Sequence, residues 1–392
     1  MADPWLSIIG VGEDGLAGLT SASRDALQSA EIVFGAARHL DLVGVPGEVW
    51  PLPFSVAPVL AHRGRRVAVL ASGDPFWYGA GGSLAAEIGP GEWRCYPAPS
   101  TFGLVAARLG WRLEDVLCIG LHAAPLVRLR PLLAQGQRII CLLRDGAALG
   151  ELAAWLVEAG FGGSSVEALS AVGGPREARV RFLAQDYGGA EMAAPLCAAI
   201  TAVGRGLPRS SGLDDALFDH DGQITKRPAR ALTLSALAPR PGEVLWDIGT
   251  GSGSIAIEFL LAAPFSIAHA LEADPVRANR ARGNAARFGL SHRFHLTEAR
   301  APETLAALPK PDVVFVGGGA SEALFVALWQ ILPPGTRLVA NAVTLESEVL
   351  VAQWQALKGG TLLRIELAEA AALGNRTGWQ PMRPLVQWSV ML

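Results

Sequence analysis

Three glycines spaced two apart, Gly249, Gly251 and Gly253, follow the apolar run Val244-Leu245-Trp246-Asp247-Ile248 and precede a helical stretch opening near Ser254. Glycine at such a turn lets backbone approach a ligand without Cβ clashes, and the first turn of the helix offers unpaired amide donors. The loop, with Thr250 and Ser252 between its glycines, is therefore a candidate cradle for the carboxylate or phosphate of a nucleotide-like ligand. Its spacing is tighter than the G-x-G-x-x-G of dinucleotide sites, so a pyrophosphate fits it less well. Glu272 ends the next apolar run, Ala268-His269-Ala270-Leu271-Glu272, where a carboxylate can accept hydrogen bonds from ribose hydroxyls. A solvated strand-end acid is the plainer reading of Glu272, but its place directly after a strand favours a ligand. The first half carries three further loops. Gly10 and Gly12 lie in Ile8–Gly15, Gly73, Asp74, Pro75 and Tyr78 in Leu70–Gly79, and Ser100 and Thr101 close Pro97–Thr101 as a helix cap. Each alone is an ordinary strand-to-helix turn. Together, at the carboxyl ends of parallel strands, they line one crevice of the kind in which open α/β sheets bind ligands.

These loops need sheets to hold them. Leu6–Val11, Glu31–Phe34, Arg66–Ala71 and Arg94–Pro97 read as strands, with helices over Ser21–Ala30 and Phe102–Leu109, and make a parallel α/β lobe. Arg138–Leu143, Val166–Leu169, Val180–Ala184 and Leu196–Val203, with a helix over Leu149–Ala159, suggest a smaller mixed sheet. A Gly-, Pro- and Ser-rich stretch then lacks apolar periodicity and serves as a linker over 206–212. Beyond it, Val244–Ile248, Ala268–Glu272, Phe294–Thr297, Val313–Val316, Arg337–Ala340, Leu362–Glu369 and Leu385–Val390 make seven strands of a doubly wound sheet. The expected organisation is a first domain over 1–205, with lobes of about 1–118 and 119–205, and a second over 213–392.

Composition limits the chemistry. Of 392 residues, 51% are apolar and 18% charged, which supports two cores and excludes a disordered chain. The longest apolar stretch, Ile255–Leu271, is broken by Glu258, Pro264 and His269, and Met1–Trp5 shows no basic segment before an apolar one. No membrane association and a cytoplasmic location are expected. Cys95, Cys118, Cys141 and Cys197 form no CxxC pair or zinc spacing, and His39, His62 and His220 have no partner pattern, so no metal is expected. A net charge of −3 argues against a nucleic-acid partner and for a small molecule. Lys226, Lys310 and Lys358 are the only lysines. Arginine pairs two-pronged with carboxylates, so a polycarboxylate ligand would suit the chain, although a GC-rich genome explains the bias as simply.

Several segments of the second half carry a resemblance: Gly222-Gln223-Ile224-Thr225-Lys226, Trp246–Ser254, Pro311–Gly318 and Asn341–Glu346. This half resembles the class I methyltransferases of cobalamin biosynthesis that methylate and decarboxylate a precorrin. The resemblance implies S-adenosylmethionine on the loop Gly249–Gly253, with Thr225 and Lys226 in a segment closing over it and Asn341–Thr344 at the mouth of the site. The family tends to have Gly-Asp-Ala-Pro-Glu where this chain reads Ala299-Arg300-Ala301-Pro302-Glu303, and Glu298 is the candidate substitute for the missing adenine-side acid. Residues 5–203 are similar to the tetrapyrrole methylase family, which binds S-adenosylmethionine between two lobes. Gly35-Ala36-Ala37-Arg38-His39-Leu40 and Gly120-Leu121-His122 are similar to its branch acting at carbon 5, although Glu13 stands where proline is common and Ala98 where glycine is usual.

The resemblance thus implies one cofactor site per domain, carbon-15 methylation with loss of the ring C acetate carboxyl in the second half, and carbon-5 methylation in the first. A sulfonium is already an activated methyl donor, so the protein chiefly aligns reactants and excludes water, and no catalytic dyad is expected. Decarboxylation further requires a buried acetate and a supplied proton. Substrate-side candidates are His122, Asn341 and Arg376 for positioning, and Lys226, Arg227, Arg230, Thr344 and Arg383 as contacts. Arg376 and Arg383 lie in and beside Gly374–Met382, which resembles the substrate-side loop. A homo-oligomer is expected. Competing readings are a nicotinamide-dependent precorrin reductase, against which the absent G-x-G-x-x-G counts, and a tetrapyrrole-binding scaffold with one inactive domain.

Overall fold

A computed structural model describes residues 4–392. Met1–Asp3, part of the start read above as free of a targeting segment, lie outside the described residues. The chain resolves into two compact units, one running to Leu126 and again over Leu132–Arg205, the other comprising Val127–Pro131 and Gly206–Leu392. The short excursion at Val127–Pro131 is one that sequence periodicity did not suggest.

In the first unit, short runs rich in Val, Ile and Leu and bounded by Gly, Pro or Ser form strands. β1 (Leu6–Val11), β2 (Ile32–Gly35), β3 (Glu48–Val49), β4 (Val67–Ser72) and β5 (Trp93–Tyr96) make an all-parallel sheet in the order β3-β2-β4-β1-β5. β1 and β4 are buried almost throughout, as central parallel strands covered on both faces must be. The second sheet is mixed, as its late-clustering strands suggested. β6 (Val116–Gly120), β7 (Arg138–Leu143), β8 (Ser165–Ser170), β9 (Ala178–Leu183) and β10 (Leu196–Thr201) run β6-β7-β10-β8-β9, and only β6 and β7 are parallel. β6 was not foreseen. Because it pairs with β7, the change of lobe falls before Val116 rather than at 118.

The second unit holds the seven-stranded sheet. β11 (Val244–Ile248), β12 (Ile267–Glu272), β13 (Phe294–Glu298), β14 (Val313–Val316) and β15 (Arg337–Ala342) are parallel, in the order β13-β12-β11-β14-β15. β16 (Thr361–Ile365) and β19 (Leu385–Met391) complete it, β19 antiparallel between β15 and β16. The expected strand Leu362–Glu369 is instead the end of β16 and the start of a separate hairpin, β17 (Ala368–Leu373) with β18 (Arg376–Pro381). Alternate side chains feed two cores. Leu245, Phe315 and Val339 pack on one face with Leu234, Ile257 and Ala281 from three helices, while Trp246, Val314 and Trp388 pack on the other with Phe325 and Trp354. A sheet wound on both faces presents its carboxyl-end loops together, which is where the site must form.

Among the described residues no helix is long and apolar enough to cross a membrane, and no cluster of His, Cys, Asp and Glu could hold a metal ion.

Candidate functional site

At the carboxyl ends of β11, β12, β14 and β15 lies a cavity of about 1250 Å³. That is more than most small-ligand pockets, roughly 300–1,000 Å³, and gives room for two molecules side by side. Its floor is the loop after β11, where Gly249, Thr250, Gly251 and Ser252 line the cavity. Gly249 has φ +72°, and a Cβ there would come within 2.8 Å of Gly318 backbone. Only glycine lets the loops after β11 and β14 approach this closely.

Two carboxylates brace the loop. Glu272 at the end of β12 accepts from the Gly251 amide at 2.9 Å and the Asp274 amide at 3.0 Å, and it lines the cavity with lone pairs left for a diol. Asp247 is fully buried beneath. Its Oδ2 accepts from the Thr250 hydroxyl at 2.5 Å while Oδ1 has no partner, and burial, with Glu272 nearby, pushes its carboxyl up to about 7. The Ser252 hydroxyl is also buried and unpartnered. An unmet donor beside the opening of the helix at Ser254 fits the carboxylate end of an amino-acid-bearing nucleoside.

Thr225 and Lys226 also line the cavity, within Gly222–Lys226. This segment is anchored from within. Arg230, which sequence placed among substrate contacts, is completely buried: its guanidinium donates to Glu258 at 2.5 Å, Asp215 at 2.9 Å and the carbonyls of Thr225 and Leu213, both at 2.5 Å. Glu258 in turn accepts from the Gly212 and Leu213 amides. Arg230 therefore holds the lid segment, and its complete burial away from the cavity wall keeps it from substrate. Glu258 is a residue sequence reasoning missed, since an acid in an apolar run gave no sign of its partner.

Five more of the residues expected at the site do not line the cavity. Arg227 is exposed at the start of its helix and does not line the cavity. Thr344 caps the helix Leu345–Lys358 through a reciprocal pairing with Ser347, so its hydroxyl is engaged. Glu298 lies outside the cavity wall, its carboxylate paired with Arg282, and Arg300 lines the wall instead. Arg376 sits at the tip of the β17–β18 hairpin, whereas the hairpin's base, Glu369 and Gln380, lines the cavity four residue pairs away. At about 3.4 Å per residue that is roughly 14 Å. Gly253 too turns inward, because a Cβ on it would point at Ala281, Phe294 and Ile257.

Asn341 and Arg383 do line the cavity. Asn341 is fixed from behind, donating to Thr233 Oγ1 at 2.9 Å and accepting from Gln387 Nε2 at 3.0 Å, which leaves one amide hydrogen and one lone pair for a ligand. Arg277, another residue not foreseen, lines the wall and pairs with Asp221 at 2.9 Å.

In the first unit the three glycine loops are knitted together. Gly73 N donates to the Val11 carbonyl and Ala98 N to the Gly73 carbonyl. A Cβ on Gly10 would overlap that same Gly73 carbonyl, and one on Gly12 would meet the Asp14 carboxylate. Ser100 caps the helix Thr101–Leu109 through the Gly103 amide at 3.1 Å, and Asp74 holds the Phe76 amide at 2.9 Å, next to buried Pro75. Tyr78, at φ +61°, lays its ring against Gly120 and meets His122 edge-on at 6.4 Å, which brings the exposed His122 to the loops across the two lobes.

Comparison with known proteins adds independent findings. Residues 6–187 match the family model described as tetrapyrrole (corrin/porphyrin) methylases, and residues 216–392 the one described as a precorrin methyltransferase domain. A precorrin-6Y C(5,15)-methyltransferase [decarboxylating] of Sinorhizobium sp is 46% identical over 99% of this chain and 97% of its own length. One of that name from Mycobacterium tuberculosis (strain CDC 1551 / Oshkosh) is 39% identical over 98% of each. A probable cobalt-precorrin-6B C(15)-methyltransferase (decarboxylating) of Pyrobaculum calidifontis is 39% identical over 35% of this chain and 72% of its own length. Among solved structures, the C-terminal domain of precorrin-6Y C5,15-methyltransferase from Rhodobacter capsulatus is 50% identical over 47% of this chain and 100% of its own, with TM-score 0.46.

Proposed function

The chain belongs to the precorrin-6Y C(5,15)-methyltransferases (decarboxylating) of cobalamin biosynthesis, and from that premise we propose that its two units divide the reaction, each with its own S-adenosylmethionine site. The second unit methylates carbon 15 and removes the ring C acetate carboxyl, and the first methylates carbon 5. The carrying observation is the 1250 Å³ cavity, lined both by the glycine loop, Glu272 and the Thr225–Lys226 segment and by Asn341, Arg383 and Glu369, with room for a second, larger molecule. Relatives named only for carbon-15 methylation with decarboxylation match about a third of the chain, which supports a separable activity. Methyltransferase relatives give the reductase alternative no support.

S-adenosylmethionine supplies an activated methyl; the residues do the placing. In the second unit the glycine loop Gly249–Ser252 lets the cofactor approach, the Ser252 hydroxyl and the opening of the helix at Ser254 meet its carboxylate, Glu272 holds the ribose diol, and Thr225–Lys226 close the wall and exclude water. Lys226, Arg300 and Arg383 supply positive charge for the carboxylates of a precorrin, and Asn341 orients the acetate-bearing face. Glu369, at the hairpin base, is placed to deliver the proton that replaces the lost carboxyl. In the first unit Gly10, Gly12, Gly73, Asp74, Pro75, Tyr78, Ser100 and Thr101 form the cofactor crevice, with His122 on its substrate side. The protein acts in the cytoplasm, as a homo-oligomer.

The test is stoichiometry. Calorimetric titration of the full chain with S-adenosylmethionine is expected to give two sites, and Gly249→Ala, whose Cβ would press on Gly318, to leave one. A single site in the unaltered chain overturns the division.

A further inference from the structure

The segment Gly35–Leu40 was singled out in sequence, yet nothing above uses its Arg38 and His39. In the structure both converge on Ser72, the last residue of β4, immediately before the Gly73–Asp74–Pro75 turn. Three short contacts close a triangle: His39 Nε2 to Ser72 Oγ at 2.8 Å, Arg38 Nη2 to Ser72 Oγ at 3.0 Å, and Arg38 Nη2 to His39 Nε2 at 3.0 Å. A guanidinium nitrogen can only donate, so the Nε2 facing it carries a lone pair, and with Nε2 unprotonated the Ser72 hydroxyl is the donor in their 2.8 Å contact, sharing that lone pair with the Arg38 hydrogen. His39 is buried at 7% exposure while Ser72 is exposed, giving an accessible hydroxyl beside the Gly73–Asp74–Pro75 turn with a base behind it. Arg38 is itself fixed by an ion pair with Glu13, which follows Gly12 in the first glycine loop and is approached by Arg176 at 3.6 Å.

We propose that Ser72 and His39 form a proton relay for methylation at carbon 5: Ser72 takes the proton from the newly methylated ring carbon as its own proton passes to His39. The inference rests on the reading that the first unit carries that methylation. Carbon 5 is a bridge carbon bearing one hydrogen. Its π electrons form the new C–CH3 bond as the S–CH3 bond breaks and the pair stays on sulfur. The carbon then holds both hydrogen and methyl, and the conjugated ring holds the positive charge. When the C–H bond breaks, its electron pair returns to the ring, the proton goes to Ser72 Oγ, and the hydroxyl proton goes to His39 Nε2. Hydrogen on a cationic conjugated ring is acidic, so a weak base suffices. Burial first and the Arg38 charge second push His39 down to about 4, which keeps it neutral before the step and makes it release the proton to water afterwards. Ser72 is the catalytic residue; His39 and Arg38 position it.

The full chain, given precorrin substrate and S-adenosylmethionine, tests this by mass spectrometry of the products. Ser72→Ala and His39→Gln are expected to slow carbon-5 methylation by about 100-fold or more, within the usual worth of general acid–base catalysis. Carbon-15 methylation, decarboxylation and calorimetric cofactor affinity should be unchanged. Carbon-5-deuterated substrate should turn over more slowly in the variants than protonated substrate, a difference absent from the unaltered chain, and Ser72→Thr should restore the rate. Unaltered carbon-5 methylation in Ser72→Ala and His39→Gln, or a loss that follows cofactor affinity, overturns the relay. Gly10→Ala separates the two levels of the argument. If carbon-5 methylation survives it, the first unit does not carry the reaction; if Gly10→Ala loses it while Ser72→Ala keeps it, only the relay fails.

Discussion

Asp247 and Arg230 show what single residues contribute beneath the cavity. The Asp247 carboxyl, normally near 3.8, is held near 7 because burial disfavours its charge. Between those values the folded chain keeps a proton that the unfolded chain has lost. The stabilisation is full below 3.8 and is lost as pH rises through 7, at up to about 1.4 kcal/mol per pH unit. Asp247→Asn should therefore flatten the fall in thermal midpoint between pH 5 and 7 relative to the unaltered chain. His39 acts oppositely between about 4 and 6.5, but equally in both proteins, so it cancels from the comparison. Arg230→Met strands Glu258 in the interior and should cost about 3–5 kcal/mol in urea unfolding, with Arg230→Met/Glu258→Gln recovering part of it. Because Arg230 also holds the Thr225 carbonyl, the single variant should weaken S-adenosylmethionine binding without touching a cavity wall.

At the scale of elements, what the sequence revealed followed from periodicity and turns. Val244–Ile248 and Val313–Val316 were readable to the residue, since fully buried parallel strands are unbroken apolar runs bounded by Gly, Pro or Asp. The glycine loop and Glu272 were readable because they end such runs. β17 and β18 were not: both are mostly exposed, Ala368–Leu373 carries no β-branched residue, and their pairing depends on a turn at Gly374–Asn375 rather than on burial. That omission misplaced Arg376. Likewise Arg230 sits on an amphipathic helix where an arginine normally faces water, and only the position of Glu258 on a neighbouring helix reverses the expectation. The corrected geometry predicts a contrast between two arginines. Arg376→Ala should leave precorrin affinity and both methylations unchanged, while Arg383→Ala should weaken precorrin binding about tenfold, the order expected for one lost hydrogen bond to a charged group. Calorimetric titration with precorrin reads both, and equal losses would return the hairpin tip to the site.

For the molecule as a whole, the proposed division gives the two units different solutions to one problem. In that reading the second unit binds on one doubly wound sheet and a helix opening, and the first between two lobes whose loops are tied by backbone hydrogen bonds. Among the described residues each unit has its own core and no strand is shared between the units' sheets, so the two activities are expected to respond independently to substitution. Gly10→Ala and Gly249→Ala provide the test, because each places a methyl against backbone that cannot move aside cheaply. Gly10→Ala should yield a product that has lost carbon dioxide and gained one methyl, and Gly249→Ala a product that keeps its carboxyl and gains the other. The double variant should make neither product. Mass spectrometry distinguishes the outcomes directly. If Gly249→Ala also abolishes the carbon-5 methyl while cofactor still titrates into the first unit, the first unit accepts only the decarboxylated product, and the two methylations proceed in a fixed order.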